Sequence, residues 1–198
     1  MATLGKVWTS TGSNAANTAG NWSDAAALGT GDAPIFNDAS VVNMTTDMTD
    51  AETYPDFTVD EGYTGDIGAT GAPFTPTAIT RLNYRGSGRM YAAGAIPTFI
   101  CDAPSNKDDA LVLTATTIAS GSILRGKCTL ASGAAVAAAG IIEIAGTGQL
   151  TINSGATIGA GARFRVAGNG ILIAYVDPLA VYVDENGTFT HGAGTQAL

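Results

Sequence analysis

Short apolar segments alternate with small polar turn residues along the whole chain. Runs of Glu, Lys, Leu and Ala at the 3.6-residue spacing of a helix are nearly absent, and β-branched or aromatic segments are interrupted by Gly, Asn, Ser and Asp. This pattern predicts an all-β protein made of short strands. The segment Ala131–Gly140 is interpreted as a small-residue corner between two of them. The expected strands are Lys6–Thr9, Ala33–Phe36, Val41–Met44, Asp56–Val59, Ala78–Tyr84, Arg89–Ala92, Thr98–Cys101, Ala110–Thr114, Cys128–Leu130, Ile141–Ile144, Gln149–Ile152, Phe164–Val166, Gly170–Tyr175, Ala180–Val183 and Thr188–His191.

The second half of the sequence repeats. Residues 143–150 align with residues 165–172, and residues 129–136 align with residues 151–158, both at the same offset. The first pattern returns in residues 182–189 and occurs once upstream, in residues 83–90. It consists of an apolar residue, two spacers, a Ser, Thr or Asn, then Gly, one spacer and a second apolar residue. Gly tolerates the positive φ of a tight turn, so we expect the flanking apolar side chains to point into one interior.

A repeat of about 20 residues with very short strands is typical of a β-solenoid, which is parallel β-helix-like. One turn of such a fold cannot bury its own inner face, whereas stacked turns share a thin continuous core. Stacking at the observed offset would place Ile144 beside Val166 and Leu150 beside Leu172. The low aromatic content of 7% agrees with a thin core. A β-sandwich or jelly roll also has many short strands and is the alternative architecture.

Residues 1–75 differ from the rest of the chain. They hold both tryptophans and a concentration of acidic residues and prolines. We therefore divide the chain into an irregular N-terminal cap or attachment section, residues 1–75, and a repetitive solenoid section, residues 76–198. A cap is expected because the end of a solenoid exposes unpaired strand edges.

The charge of the chain is concentrated in its N-terminal part. The net charge is −8, and residues 1–80 hold ten acids and one base, which gives −9 for that part alone. Nucleic-acid affinity needs clustered Lys and Arg, so this distribution argues against a nucleic-acid partner. The sequence has no apolar stretch of about 20 residues, and no membrane association is expected. The two cysteines, Cys101 and Cys128, are expected to be buried free thiols.

Residues suited to catalysis are scarce. His191 is the only histidine and is interpreted as a surface residue. Nucleophile-elbow, zinc-helix and P-loop motifs do not occur. The acidic residues 47–52 do not have the spacing of an EF-hand calcium loop. The sequence therefore predicts a non-enzymatic protein with no catalytic residue, metal or cofactor. Carboxylates are the remaining candidates for catalysis, and adjacent ones occur as Asp60 and Glu61, Asp108 and Asp109, and Asp184 and Glu185.

Residues 7–37 carry a series of aromatic and turn residues. Val7-Trp8-Thr9 leads into a Gly- and Asn-containing turn, Asn21-Trp22-Ser23 follows, and a segment opened by Gly31-Asp32 ends at Phe36-Asn37. The series resembles the opening of a group of phage and phage-like virion proteins, and more loosely the repeats of autotransporter-type adhesins. The aromatic residues either form a small cap core or contact a partner. The candidate interface residues are Trp8, Trp22, Asp24, Asp32 and Phe36.

The resemblance implies a structural protein of a phage virion that decorates or cements the capsid, or forms a knob or fibre. Its expected partner is the major capsid protein or another virion protein, and a homotrimer is the expected assembly. No signal peptide is visible, which favours assembly in the host cytoplasm and location in the virion. A bacterial surface adhesin module is the alternative, and a tailspike-like protein that binds or cleaves glycans is a third.

Overall fold

The computed structural model describes residues 5–104, 108–176, 180–184 and 186–191, and within them the chain is all-β. A single turn of 3-10 helix, Ala19–Asn21, is the one helical element of these residues. The strands are β1 Gly5–Val7, β2 Ala33–Phe36, β3 Thr53–Val59, β4 Ala78–Tyr84, β5 Met90–Ala92, β6 Thr98–Asp102, β7 Leu111–Leu113, β8 Thr117–Arg125, β9 Lys127–Leu130, β10 Ala135–Ile144, β11 Gln149–Ile152, β12 Thr157–Ile158, β13 Arg163–Val166, β14 Ile171–Ala174, β15 Ala180–Val183 and β16 Thr188–His191.

The strands form two sheets in which every pairing between strands is parallel. The larger sheet has the order β1-β2-β3-β4-β6-β8-β10-β13-β15, with β12 beside β10, and the smaller has the order β16-β14-β11-β9-β7-β5. From β4 onward the chain alternates between the two sheets. We call one strand of the larger sheet together with the strand of the smaller sheet that follows it a pass. Jelly rolls are built from antiparallel strands. The parallel sheets therefore do not fit the jelly-roll alternative well.

The register of the sheets confirms the repeat found in the sequence. Ile144 pairs with Val166 in the larger sheet, and Leu150 pairs with Leu172 in the smaller one, both at the predicted offset. All four side chains are fully buried. Buried and outward-facing side chains alternate along most strands, with a break in the alternation within β3, β4, β8 and β10, and the apolar positions of successive passes form rows. Burial of these rows is the main favourable contribution to folding.

The Gly that follows the Ser, Thr or Asn of the repeated motif is required by close contact with the preceding pass, whereas the positive φ expected of it occurs two residues earlier, at Gly146 and Gly168. A Cβ atom on Gly148 would lie 2.4 Å from the carbonyl oxygen of Ile123, and one on Gly170 would lie 2.7 Å from that of Ile144. Real Cβ atoms are not found at such distances from a backbone oxygen. The motif therefore marks the point in each pass where the backbone lies directly against the backbone of the preceding pass.

The predicted strands are confirmed at most positions, but one predicted strand is absent, one predicted corner is partly strand, and two strands were not predicted. Val41–Met44 is not a strand, since only Met44 pairs there, in an isolated bridge with Ile67. Part of Ala131–Gly140 is not a corner, because β10 begins at Ala135, and neither β8 nor β12 was predicted. The missed residues of β8 and β10 are rich in Ala, Gly and Ser, whose intrinsic β-propensity is low. Five strands have the predicted bounds: Ala33–Phe36, Ala78–Tyr84, Gln149–Ile152, Ala180–Val183 and Thr188–His191.

The N-terminal section continues the larger sheet through β1, β2 and β3 and has a different interior from the later passes. Its core is aromatic: Phe36 packs against Phe57 with ring centroids 5.3 Å apart, and Tyr54 packs against Phe74 at 6.2 Å. On the side of the smaller sheet, it forms isolated bridges such as Met44 with Ile67 rather than strands. Rings therefore fill the interior of this section, where the later passes use mainly aliphatic side chains.

We predict that Gly170→Ala lowers the free energy of unfolding by about 1–3 kcal/mol, because the added methyl group cannot avoid the Ile144 carbonyl oxygen without moving the backbone. Urea denaturation measures the change. Gly20→Ala is the control, since a Cβ there meets nothing within 4 Å. Equal midpoints for the two variants would contradict the close stacking of passes.

We also predict that Val166→Asp lowers the free energy of unfolding by several kcal/mol, because it places a charge without a partner in the apolar interior. Ile141→Asp is the matched control, since Ile141 faces outward and is 48% exposed. The control should remain close to the wild type in a thermal or urea melt. A Val166→Asp protein as stable as the control would show that the inward row is assigned wrongly.

Candidate functional site

The three aromatic residues predicted as interface candidates lie in the core. Trp8 follows β1, Trp22 follows the 3-10 turn, and Phe36 ends β2. The two indole rings meet edge to face at 5.1 Å, and each lies 5.7 Å from the Phe36 ring. Trp8 and Phe36 are fully buried and Trp22 is 2% exposed. These rings therefore form a small aromatic core and offer no surface to a partner in this arrangement.

The indole N–H groups of the two tryptophans attach two loops to this core. Trp8 Nε1 donates to the Val42 carbonyl oxygen at 3.0 Å, and Trp22 Nε1 donates to the Ala16 carbonyl oxygen at 2.8 Å. Buried Trp side chains usually find such a partner for the polar end of the ring. The tryptophans thus determine where the loops around residues 16 and 42 lie.

Asp24 and Asp32, the two acidic interface candidates, share one buried cation. Lys6 Nζ lies 3.2 Å from Asp24 Oδ2 and 3.0 Å from Asp32 Oδ2, and it also donates to the Ala27 carbonyl oxygen at 2.7 Å. Lys6 is only 7% exposed. The site joins β1 to the loop before β2, so the two carboxylates act within the fold.

The electrostatics of this site favour its charged state. Burial alone lowers the pKa of Lys6, but hydrogen bonds and attraction from Asp32 and Asp24 outweigh burial, and the pKa is raised. The pKa of Asp24 is lowered: burial acts to raise it, but a backbone hydrogen bond from Ala26 and the ammonium group of Lys6 outweigh that effect. The sequence showed these residues but not that they meet, because no local pattern relates Lys6 to the later loop that holds both carboxylates.

A groove lies at the carboxyl ends of β2, β3 and β4 and collects exposed polar groups. Parallel strands end at one edge of a sheet, so the residues that follow them come together. The groove has a volume of about 450 Å³, and an adjoining hollow of about 240 Å³ on the outer face of the larger sheet shares Asp60 and Arg85 with it. We call this the acidic groove; its lining residues are Asn37, Asp38, Asp60, Glu61, Gly62 and Arg85.

Ion pairs hold one wall of the acidic groove in place. Arg125, at the end of β8, contacts Glu61 Oε1 through Nη2 at 2.5 Å and Asp102 Oδ1 through Nε at 2.6 Å. Hydrogen bonds to Asp102 and Glu61 raise the pKa of Arg125. Arg85 Nε lies 3.9 Å from Asp102 Oδ2. Glu61 and Asp102 are therefore neutralised by arginine, whereas Asp38 and Asp60 face the groove without a cation among the described ion pairs.

The other carboxylate pairs considered from the sequence have structural contacts. Asp108 pairs with Lys127, and Asp109 accepts a hydrogen bond from the Thr129 hydroxyl at 2.7 Å. Asp184 pairs with Arg165 at 3.0 Å, while Glu185 lies outside the described residues. Of the three pairs, Asp60 and Glu61 line a groove. The sequence missed Asn37 and Asp38 as their neighbours, since nothing local relates the end of β2 to the end of β3.

The acidic segment around residues 47–52 is engaged within the fold. Asp50 is buried and accepts hydrogen bonds from the Tyr54 hydroxyl and the backbone N–H of Glu52. Burial and the neighbouring Asp50 raise the pKa of Tyr54. In the described part of the chain, no group of three His, Cys, Asp or Glu side chains is arranged to hold a metal ion.

The two cysteines are buried with free thiols, as expected. Burial raises the pKa of Cys101 to about 12 and raises that of Cys128 well above its ordinary value. Reactive cysteines have a low pKa, so these thiols serve as core residues.

Comparison of the chain with protein-family models, with curated proteins and with solved structures finds no match. Within the residues that the structure describes, no helix has the length and hydropathy needed to cross a membrane.

We predict that Lys6→Met lowers the free energy of unfolding by about 1–3 kcal/mol, because it leaves two carboxylates facing each other and removes a hydrogen bond to a charged group. Lys127→Met, which breaks only the exposed pair with Asp108, is the control and should change stability by less than about 1 kcal/mol. Urea denaturation near neutral pH measures both variants.

The pH dependence of this difference is a second readout. Folding raises the pKa of Lys6, so its contribution is complete below the ordinary value of 10.5 and is lost as the pH rises through the folded-state pKa. The gap between wild type and Lys6→Met should narrow at such alkaline pH, and also at acid pH, where the carboxylate of Asp24 becomes protonated as the pH falls through its lowered pKa. A gap that closes near neutral pH would contradict the assigned role of Lys6.

Proposed function

We propose that the passes stack as a β-solenoid, with residues 1–75 as its irregular N-terminal cap. The support for this proposal is the uniform parallel pairing and the regular crossing between two sheets. Equivalent positions also pair from pass to pass, since Ile144 of β10 lies beside Val166 of β13, and Val166 lies beside Val183 of β15. A thin interior built from stacked rows is typical of this architecture.

We propose that the protein is a non-enzymatic structural protein of a phage virion, which decorates or cements the capsid. The resemblance of residues 7–37 to virion proteins motivates the proposal. Further support comes from the use of charged side chains between passes, as in the pairs of Arg81 with Asp56 and Arg165 with Asp184. Polar side chains that brace neighbouring passes suit a protein whose role is packing and attachment.

The acidic groove is our proposed attachment surface for the capsid. The aromatic residues Trp8, Trp22 and Phe36, by contrast, are buried and serve to position the loops. Asp38 is exposed and Asp60 partly so, and neither has a cation of its own among the described residues. A basic segment of the major capsid protein, or of another virion protein, would supply the missing positive charge. The homotrimer expected from the sequence stays a prediction.

Presence in the virion is the first test. We expect mass spectrometry of purified virions from the phage that encodes the chain to find it in a fixed ratio to the major capsid protein. Its absence from intact virions, together with binding of the purified chain to bacterial cells, would favour the adhesin alternative. Release of reducing sugars from surface glycans would favour the tailspike-like alternative.

We predict that the double variant Asp38→Asn and Asp60→Asn weakens capsid binding by at least about tenfold, because it removes two uncompensated charges from the interface. The double variant Asp47→Asn and Glu143→Gln makes the same change in net charge outside the groove and is the control. Co-sedimentation with capsids that lack the chain measures binding at low and high salt. The wild type should lose affinity with salt more steeply than the groove variant. Equal losses for groove variant and control would place the contact elsewhere.

A further inference from the structure

The last pass leaves inward-facing apolar side chains exposed. Val183 pairs in register with Val166, which in turn pairs with Ile144. Ile144 and Val166 are fully buried, whereas Val183 is 47% exposed. In the smaller sheet, Phe189 pairs with the fully buried Leu172 but is itself only partly buried. These residues occupy equivalent positions in successive passes. Val183 and Phe189 are more exposed than their neighbours because no described strand lies beyond β15 and β16.

Among the described residues, no strand lies along the outer edges of these two strands. β15 and β16 are the outermost strands of the larger and smaller sheets, and each has one side without a partner strand among the described residues. Edge strands are usually protected by Lys, Pro or a bulge. The described residues of β15 and β16 instead include Val, Tyr, Thr and Phe, and none of them is Lys or Pro. We call the surface formed by Val181, Val183, Phe189 and the edges of β15 and β16 the distal end.

The opposite end of the larger sheet is covered at the carboxyl end of β1. Ser23 N donates to the Val7 carbonyl oxygen at 2.9 Å, and Thr9 N donates to the Asn21 carbonyl oxygen at 2.8 Å. Trp8 and Trp22 form an antiparallel bridge between these two bonds. The segment around Trp22 thus covers the outer edge of β1 at Val7. Because that part of the edge is occupied, pairing of the distal end of one copy along β1 of another is hindered, and an open head-to-tail filament is disfavoured.

We propose that the distal end binds the distal end of a second copy through a two-fold axis. Two identical open ends related by such an axis satisfy each other at the same time, with antiparallel pairing across the new boundary. The contact would cover Val183 and Phe189 of both copies. Charge favours this orientation over contact between the N-terminal parts. Residues 1–80 carry −9 and residues 81–198 carry +1, so distal contact keeps the two acidic sections apart.

This inference does not depend on the acidic groove, because it concerns a different part of the molecule, and it is an alternative to the homotrimer expected from the sequence. If the distal contact and attachment through the groove both hold, the dimer presents two acidic grooves and bridges two sites on a partner surface. Failure of capsid binding by the groove variant would leave the distal contact untouched. Failure of dimer formation would leave the groove proposal untouched in the same way.

The test is the mass in solution of the full chain and of variants at the distal end. Sedimentation velocity or light scattering should give twice the mass of one chain for the wild type. Val183→Lys and Phe189→Lys should each raise the dimer dissociation constant by at least about tenfold, since each places a charge in the contact. Tyr182→Lys is the control, because Tyr182 lies on the same strand, is 57% exposed and pairs with the outward-facing Arg165. Circular dichroism verifies that each variant is folded.

Hydrogen exchange gives a second measurement that does not depend on the variants. Backbone amides of β15 and β16 should exchange more slowly as the protein concentration rises, while those of β1 should not change. A monomer at all concentrations, a three-copy mass, or a dimer unaffected by both lysine variants would each overturn the proposal. A chain that becomes dimeric only after removal of residues 192–198 would also overturn it, since those residues would then occupy the distal end.

Discussion

Parallel hydrogen bonding between successive passes is the constraint on which the rest of this structure depends. The side chains of a strand alternate between its two faces, so a slip of one residue would turn each inward row to the solvent. The pairing of Ile144 with Val166 and of Leu150 with Leu172 keeps both sheets in the same register. The Gly residues of the repeated motif make that register possible, because the chain approaches the preceding pass too closely for a side chain.

The same stacking determines how the charged residues are used. Positions on the outer face lie beside their counterparts one pass away, and Arg165 there lies between Glu143 and Asp184. Exposed pairs of this kind each contribute little to stability. Lys6 is different, since it is buried, contacts two carboxylates and closes the loop before β2 onto β1. Lys6 therefore joins two segments of the fold, which an exposed surface pair does not do.

The two ends of the molecule have opposite character, and the two proposals follow from that contrast. The N-terminal section is aromatic inside and acidic outside, and the segment around Trp22 covers its outer sheet edge at Val7. The distal end leaves Val183 and Phe189 partly exposed. We therefore propose attachment through charge at the N-terminal section and self-association through apolar contact at the distal end.

The sequence by itself determined the strands with a strong apolar pattern and the offset between passes, because both depend on the spacing of apolar and Gly residues along the chain. It did not reveal the short β12. It also missed β8 and the start of β10, where Ala, Gly and Ser form strands only because neighbouring passes supply hydrogen-bond partners. Only the tertiary structure decided that Trp8 and Phe36 are core residues, and that Arg125 meets Glu61 from a distant part of the chain. Burial and ion pairing depend on what the fold brings together in space, and no local pattern contains that information.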